Sequence, residues 1–389
     1  QALVDEHRQE IADIVAVAQA DLVEQWSGVP IEDAERAKGA ALGIVEDVTQ
    51  TYGALAAGAA ADWYAEARSE AGVRGRVKSR LSVPVIAAQI APNAILALVT
   101  LRNERVRLPY FLDYYRGIGI DHFLIVDNDS NDGSREFLAD QPDVSLWTTG
   151  ESYKGSRFGM DWLNHLLRRY GAGHWCLTVD PDEFLVYPHV NTRPLRALTD
   201  WLESSGQRSF SAMLLDMYPK GPITDQPYRE GQNPFEIAAW FDPANYAIRK
   251  NRKFLNLWIQ GGPRARSFFA DQPQSAPALN KIPLVRWQRR FAYASSTHML
   301  LPRSLNLVYD QDGGEMASGA LLHAKFLSTF IAKSAEELDR RQHYADSQEY
   351  RAYHQGLQDA ADFWCPQSRR YRDWRQLEEV GLISRGNWP

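Results

Sequence analysis

The stretch His122-Phe-Leu-Ile-Val-Asp-Asn-Asp-Ser-Asn-Asp-Gly-Ser134 indicates the fold class of this chain. Residues 122–126 form an apolar run of the length of a buried strand, which predicts a strand there. The next residues, up to Gly133, are types that accept turn and cap geometry. A short helix is predicted over 133–138. A strand that leads through a polar turn into a helix is the repeating unit of α/β proteins.

The same alternation continues on both sides of this stretch. Apolar runs predict further strands, and helical spacing predicts further helices, over 95–100, 107–117, 144–147, 159–170 and 175–179. We therefore predict an α/β fold with a mostly parallel, Rossmann-like sheet and helices on both of its faces. In such sheets, ligands bind beyond the carboxyl ends of the strands.

The composition is that of a globular protein. The 389 residues include 43 Lys and Arg and 49 Asp and Glu, so the net charge is −6. Residues 1–80 hold 14 of the acidic and 8 of the basic side chains, which leaves the remaining chain balanced at 35 each. A neutral body gives no reason to expect nucleic-acid binding.

Four regions are predicted: a helical segment over 1–80, a linker over 81–93, an α/β domain over 94–330 and a helical extension over 331–389. The Ala- and Gly-rich helices of the first region are expected to support a homo-oligomer. The basic run 74–80 is read as a solvated linker, with contact to anionic membrane headgroups as the alternative. Two cysteines and the lack of a visible secretory signal favour a cytoplasmic location, with peripheral attachment to the inner face of the membrane as an alternative.

The strongest local signal for chemistry is Leu177-Thr-Val-Asp180-Pro-Asp182-Glu183-Phe184. Two carboxylates follow a strand, and Pro181 helps the chain to turn, so both can converge on one ion. Carboxylate oxygens suit a hard divalent cation such as Mg²⁺ or Mn²⁺, which would stabilise a departing diphosphate. The alternative is that both aspartates only cap the following turn.

A second carboxylate, Asp127, ends the strand at 122–126. At that position it can accept hydrogen bonds from the N–H of a base or from a ribose hydroxyl. The alternative is an Asx turn followed by a helix N-cap, a part that Asp132 suits.

Three segments together resemble the family 2-like glycosyltransferases of the GT-A fold. They are Leu98-Val-Thr-Leu-Arg-Asn-Glu104, Ile125-Val-Asp-Asn-Asp-Ser-Asn-Asp-Gly-Ser134 and Val179-Asp-Pro-Asp-Glu-Phe184. A bacterial branch of that family also has segments similar to Gly261-Gly-Pro-Arg264, Leu279-Asn-Lys-Ile-Pro-Leu-Val-Arg-Trp287, Ser296-Thr-His298 and Gly319-Ala-Leu-Leu-His-Ala-Lys-Phe326. The resemblance covers about residues 94–389 and implies metal-assisted transfer of a sugar from a nucleotide diphosphate donor.

The resemblance also implies roles for single residues. Those matched to nucleotide-sugar binding are Arg102, Glu104, Asp127, Asp180, Arg264, Lys281 and Lys325. Those matched to a metal site are Asp180, Asp182 and His323. His323 could equally be a hydrogen-bonded histidine in a half-buried strand, and the basic residues could form surface ion pairs.

An inverting transfer needs a carboxylate near the acceptor hydroxyl. Asp216, which follows an apolar run, and Glu230 are the catalytic candidates, with Asp225 and Asp271 as further options.

The leading hypothesis is a metal-dependent glycosyltransferase, inverting in outcome, that acts on a glycan or lipid-linked acceptor. A sugar nucleotidyltransferase is the first alternative, although Leu101-Arg-Asn-Glu104 lacks the glycines of a phosphate loop. The second alternative is a non-enzymatic assembly or sugar-binding protein. Residues 62–73 resemble the helical start of actinobacterial phage head-assembly proteins, which supports that second alternative for the N-terminal segment.

Overall fold

A computed structural model describes residues 85–86, 90–251, 254–294, 296–308, 316–331, 333–334 and 362–389. The predicted N-terminal helices and most of the predicted linker lie outside these residues, as does the greater part of 331–361. The predicted domain boundaries therefore stay predictions. Within the described residues, no helix is long and apolar enough to cross a membrane.

Strands and helices alternate through the first half of the described chain. The strands there are β1 (Val85–Ile86), β2 (Ile95–Leu101), β3 (His122–Asp127), β4 (Val144–Thr148), β5 (Trp175–Thr178), β6 (Glu183–Val186) and β7 (Ser209–Asp216). The helices are α1 (Leu108–Ile118), α2 (Ser134–Ala139), α3 (Met160–Leu166, continued by a π-helical turn over Leu167–Gly171) and α4 (Leu195–Ser204). All of the strands and helices predicted between 95 and 179 are present, with ends that differ by a few residues.

The second half is richer in short strands. These are β8 (Trp240–Phe241), β9 (Tyr246–Asn251), β10 (Asn256–Gly261), β11 (Asn280–Arg286), β12 (Ala292–Tyr293), β13 (Leu300–Leu301), β14 (Ser318–His323) and β15 (Arg369–Arg370). Two helices, α5 (Gly262–Phe268) and α6 (Trp374–Glu379), accompany them. Short 3₁₀ turns lie over Pro234–Glu236, Pro273–Ser275 and Arg303–Asn306.

Nine strands form one mixed sheet in the order β1-β4-β3-β2-β5-β11-β7-β14-β6. Strands β4, β3, β2 and β5 are parallel to their neighbours within this group, and so are β7 and β14. Strand β11 is antiparallel to both β5 and β7, and the two edge strands β1 and β6 are also antiparallel to their neighbours. The α/β prediction is confirmed, and the antiparallel insertion of β11 joins two parallel groups.

Helices cover both faces of the parallel part of the sheet. Successive residues of a strand point to opposite faces. In β2, Ile95, Ala97, Val99 and Leu101 pack in one core with residues of α1 and α4. The alternate residues of β2 face the other side, where α3 contacts β2 and β3. Because both faces are buried, β2 is a nearly continuous apolar run, as the sequence analysis expected.

The register of the sheet brings distant residues together at one edge. Leu101 at the end of β2 lies opposite Asp127 at the end of β3. His323 at the end of β14 lies opposite Asp216 of β7 on one side and Glu183 of β6 on the other. Polar side chains from four parts of the sequence therefore converge at this edge.

Three smaller two-stranded sheets complete the described fold, namely β9 with β10, β12 with β13, and β8 with β15. Strand β10 is largely buried, whereas β9 is exposed along most of its length. The described C-terminal residues pack on the main core through Trp374, Leu377, Ile383 and Trp388.

Candidate active site

A cavity of about 310 Å³ opens beyond the carboxyl ends of β2 and β5. Six basic and four acidic side chains line it, so positive and negative charge meet in one small volume. The basic residues are Arg102, Arg107, Arg264, Lys281, Lys325 and Lys333, and the acidic ones are Glu104, Asp180, Asp182 and Glu183. His298 and His323 also line the cavity, together with Thr100, Asn128, Tyr153 and Ser296.

A chain of charged side chains runs from the protein interior to the cavity. Arg264 Nε donates to Asp216 Oδ2 at 2.7 Å, and Asp216 Oδ1 lies 2.7 Å from His323 Nδ1. His323 Nε2 lies 3.3 Å from Asp182 Oδ2, at the cavity wall. Because the charges of Arg264 and His323 outweigh burial and keep Asp216 ionised, its carboxylate accepts the Nδ1–H of His323 and orients the ring.

The pKa values along this chain follow from the pairing. Burial would raise the pKa of Asp216, but Arg264 and His323 together lower it below its usual value. Burial would likewise raise the pKa of Asp182, and His323, with help from Arg107 and Lys325, holds it well below its usual range. Burial would lower the pKa of His323, but the charges of Asp182 and Asp216 outweigh burial and raise it.

A second ion pair lies beside the first. Lys281 Nζ bonds to the buried carboxylate of Glu183 and lies 3.6 Å from Asp180 Oδ2. The Asp180 side chain is 57% exposed, whereas that of Asp182 is 20% exposed. Burial would lower the pKa of Lys281, but Glu183 and Asp180 raise it, so the ammonium group stays charged. The two aspartates of the motif therefore have different partners.

The ends of β2 and β3 form the opposite side of the cavity. Arg102 donates from Nη1 to the carbonyl oxygen of Asn128 at 2.9 Å, and also to that of Asp129. Asp127 is fully buried, and its Oδ1 accepts from the backbone N–H of Ser130 at 3.1 Å. Its Oδ2 has no hydrogen-bond partner among the described residues. A buried carboxylate oxygen without a partner is costly, and it marks a position where a ligand could donate.

A third ion cluster closes the cavity near α1. Glu104 is buried, its Oε2 accepts from Arg107 Nη1 at 2.8 Å, and its Oε1 pairs with Lys333 Nζ. Both oxygens of Glu104 are thus paired with cations of the protein, so Glu104 positions the side chains of Arg107 and Lys333.

The remaining lining histidine has a different character. His298 Nδ1 lies 2.5 Å from the carbonyl oxygen of Asn280. Burial, reinforced by Lys281, lowers the pKa of His298 to about 4. His298 is therefore neutral at physiological pH and offers no positive charge to a ligand.

The structure brings most of the predicted site residues together. The predicted residues that line the cavity are Arg102, Glu104, Asp180, Asp182, Arg264, Lys281, His323 and Lys325. Asp127 and Asp216 do not line the cavity, but each lies next to residues that do: Asp127 is opposite Leu101, and Asp216 contacts Arg264 and His323. Glu230 lies elsewhere, because its half-exposed side chain pairs with Arg105 at 2.8 Å and does not line the cavity.

The two catalytic candidates therefore lack the geometry for which they were chosen. Asp216 is 2% exposed, and Arg264 and His323 hold its two oxygens, so it does not face an acceptor. The signal that selected it, a carboxylate after an apolar run, is real, because Asp216 does end β7. What the signal could not show is that a histidine would stand between Asp216 and the cavity.

Sequence reasoning missed Arg107, Lys333 and Tyr153 as lining residues. Arg107 precedes a helix and Lys333 lies far along the chain, and neither belongs to a motif. Arg107 and Lys333 reach the cavity through their contacts with Glu104, which the sequence analysis did select.

A divalent cation was predicted on Asp180, Asp182 and His323. Among the described residues, no group of three or more His, Cys, Asp or Glu side chains is arranged to hold a metal ion. The donors of Asp182 and His323 nevertheless lie 3.3 Å apart, which is close to the spacing of two ligands on one ion. The Asp216–His323 hydrogen bond is the kind of outer contact that orients a metal-bound histidine. These two residues therefore fit a cation that takes its other ligands from water and phosphate.

Comparisons with known proteins cover this chain in part. The family model described as VG15 protein matches residues 1–104, about a quarter of the chain. That match includes residues 62–73 and β2, and it ends before α1. No curated protein matches the chain.

One match among solved structures is the UTP-bound UGPase from Acinetobacter baumannii. It has 10% sequence identity and a TM-score of 0.26, over 74% of this chain and 92% of the other. At that TM-score the likeness says nothing about function.

Proposed function

We propose that this chain is a metal-dependent glycosyltransferase that moves a sugar from a nucleotide diphosphate donor to a glycan or lipid-linked acceptor. One observation carries the proposal: an Asp182–His323 pair and a set of six basic side chains face one cavity at the carboxyl edge of a largely parallel sheet. A nucleotide-sugar donor suits a site of that kind, because the departing diphosphate gains negative charge as its bond to the sugar breaks, and cations stabilise that charge.

Asp182 and His323 would hold the cation, Mn²⁺ or Mg²⁺, and Asp180 is near enough in sequence to complete the set. The bound cation would supply charge stabilisation for the departing diphosphate. Asp216 would act through His323: it keeps the proton on Nδ1, so that Nε2 is directed towards the cavity. Asp216 is thus proposed as a positioning residue in place of a general base.

The phosphates would lie among the basic side chains. Lys325 lines the cavity two residues after His323, and Arg264 and Lys281 line it from α5 and β11. Asp216 holds Arg264 and Glu183 holds Lys281, so little reorganisation of these two cations is needed when a charged ligand enters.

The nucleoside would lie at the ends of β2 and β3. The unpartnered Oδ2 of Asp127 can accept from a base N–H or a ribose hydroxyl. Asn128, Thr100 and Tyr153 line the cavity beside it, and Tyr153 offers a ring on which a base could stack.

The test is to incubate the purified chain with a panel of nucleotide sugars, with and without Mn²⁺, and to identify the products by mass spectrometry. Metal-dependent release of free sugar and nucleoside diphosphate supports the proposal. In a second incubation with nucleoside triphosphates and sugar 1-phosphates, release of pyrophosphate would indicate a nucleotidyltransferase instead. No turnover and no nucleotide binding would favour the assembly protein.

Matched variants connect the activity to the cavity. Asp182→Asn keeps the size of the side chain and removes its charge, so Mn²⁺-dependent turnover should fall at least about 100-fold. Asp140→Asn makes the same change at an exposed position at the end of α2 and should leave turnover unchanged. Equal activity of the two variants would remove the metal site from the proposal.

A further inference from the structure

The hairpin formed by β9 and β10 carries an unusual combination of side chains. Large apolar residues with substantial exposure are few in the described part of the chain: Ile248 (57%), Leu307 (55%), Val380 (37%) and Leu255 (36%). Two of the four, Ile248 and Leu255, belong to this hairpin.

A third exposed apolar residue adjoins the hairpin. Asn306 Nδ2 donates to the carbonyl oxygen of Phe254 at 2.9 Å, so the chain at 306 is fastened to the chain at 254. Leu307 and Leu255 each follow one partner of this bond. Leu307 therefore lies near the end of the hairpin at which Leu255 stands, and Ile248 lies on β9 three residues from the Asn251–Asn256 pair at that end. We call the side chains of Ile248, Leu255 and Leu307 the hairpin patch.

Positive charge accompanies the hairpin patch. Arg249 and Lys250 are exposed on β9. The sequence from 249 to 253 reads Arg-Lys-Asn-Arg-Lys and contains no acidic residue, in a chain whose net charge is −6. Basic residues alone could be explained as protection of an edge strand against pairing. That explanation does not account for Ile248, because an exposed apolar side chain on an edge strand promotes pairing with other strands.

Apolar side chains together with Lys and Arg are what binding to an anionic lipid surface requires. The apolar groups enter the boundary between headgroups and acyl chains, and the basic groups interact with anionic headgroups. A soluble polyanion would use the basic side chains but leaves the three apolar ones exposed. We infer that the hairpin patch docks this protein on an anionic membrane surface.

The position of the hairpin gives this docking a consequence. Arg249 pairs with Trp258 in the β9–β10 ladder, and the Trp258 ring lies 6.3 Å from that of His298, which lines the cavity. Docking would thus hold the cavity rim near the lipid surface. If the proposed transferase activity holds, that places the site within reach of a lipid-linked acceptor.

The experiment is co-sedimentation of the full chain with vesicles of phosphatidylcholine, alone or with 30% phosphatidylglycerol. It needs no donor, acceptor or metal, so its result is independent of the proposed activity. We expect binding to the anionic vesicles at least about tenfold stronger than to neutral ones, and weaker binding as salt is raised from 0.1 to 0.5 M.

Two pairs of variants separate docking through the hairpin patch from nonspecific adsorption of the protein to vesicles. Arg249→Ala/Lys250→Ala should weaken vesicle binding about 10- to 30-fold, because each basic residue near such a surface contributes roughly a factor of five. The control Arg369→Ala/Arg370→Ala removes the same charge from exposed β15 and should have no effect. Ile248→Ser should also weaken binding, whereas Val380→Ser should not. All these side chains are exposed, so the melting temperature should stay constant.

Three outcomes would overturn the inference. One is equal affinity for neutral and anionic vesicles. Another is equal loss of binding in the hairpin variants and their controls. The third is retention on heparin that depends on Arg249 and Lys250 without binding to vesicles, which would show a site for soluble polyanions.

Discussion

Asp127 differs from the other acidic residues around the cavity because the protein does not satisfy it completely. The oxygens of Asp216 and Glu104 are taken by histidine, arginine or lysine partners, which makes these residues parts of the scaffold. Asp127 is equally buried, yet its Oδ2 has no partner among the described residues. At the scale of single residues, hydrogen-bond satisfaction therefore distinguishes the carboxylates that hold cations of the protein from one whose second oxygen lacks a donor in the described part of the chain.

Asp127→Ala should weaken the binding of a nucleoside diphosphate more than it slows turnover of bound donor. A hydrogen bond to a charged group contributes roughly 1.5–3 kcal/mol, so affinity should fall about 10- to 100-fold. Calorimetry with UDP and GDP in the presence of Mn²⁺ measures the change. Unaltered affinity for both nucleotides would show that the base does not lie at the ends of β2 and β3.

Helix α1 illustrates how one element is fixed to the sheet. Its inner side chains, such as Phe111 and Tyr115, are buried in the core. At its last turn, Arg116 forms a bidentate pair with Asp143 just before β4, at 2.8 and 2.6 Å. Burial would raise the pKa of Asp143, but Arg116 outweighs burial and lowers it.

This pair predicts a pH dependence of stability. The pKa of Asp143 is lower in the folded than in the unfolded chain, so its contribution is fully present above about pH 4–5 and is lost as the pH falls through the folded-state pKa. Both side chains are about a quarter to a third exposed, so the pair is worth only about 1 kcal/mol.

Urea unfolding of the parent protein and of Asp143→Asn should thus differ by about 1 kcal/mol at pH 7 and by much less near pH 3. Asp140→Asn, at an exposed position three residues earlier, serves as the control. A difference that stays constant from pH 7 to pH 3 would argue against the ion pair.

Two glycines predict opposite effects of the same substitution. A Cβ on Gly319 in β14 would lie 2.6 Å from the carbonyl oxygen of Val186 and 2.9 Å from the ring of Phe210. A Cβ on Gly117 in α1 would meet nothing within 4 Å.

Gly319→Ala should therefore lower the free energy of unfolding by about 1–3 kcal/mol, because backbone or aromatic core must move. Gly117→Ala should raise it by up to about 1 kcal/mol, because alanine is the better helix former. Denaturant midpoints of the two variants test both signs. A neutral Gly319→Ala would mean that β6, β7 and β14 are less closely spaced than the structure shows.

For the molecule as a whole, the end of the matched family segment does not coincide with a boundary of the main sheet. The VG15 match ends at residue 104, after β2. Strand β2, however, lies inside the main sheet, between β3 and β5, and all its residues except Thr100 are buried. A division of the chain at 104 would remove an interior strand from the α/β body.

Two truncations test this conclusion. The fragment 81–389 retains every described strand and should unfold cooperatively, with the same affinity for nucleoside diphosphates as the full chain, whatever that affinity is. The fragment 105–389 lacks β2 and should fail to show a cooperative transition by circular dichroism. Cooperative folding of the shorter fragment would show that β2 is dispensable, contrary to its central place in the sheet.

Local pattern in the sequence was enough to predict the strands and helices between 95 and 179 and the two acidic strand ends. Those features depend on the spacing of apolar residues and on turn chemistry, both of which are local. In the structure Leu101 and Asp127 lie side by side, because neighbouring parallel strands end at a common edge.

The tertiary structure alone decided which charged groups pair. Asp216 is 48 residues from Arg264 and 107 residues from His323 along the chain. Asp216 and His323 meet because β14 runs parallel to β7, which lies between β14 and the antiparallel β11. That strand order leaves no local trace, so the sequence could mark Asp216 as a strand end but could not show that His323 separates it from the cavity. For the same reason Glu230 was selected although it pairs with Arg105 outside the cavity, and Lys333 was missed although it reaches Glu104 from the far end of the chain.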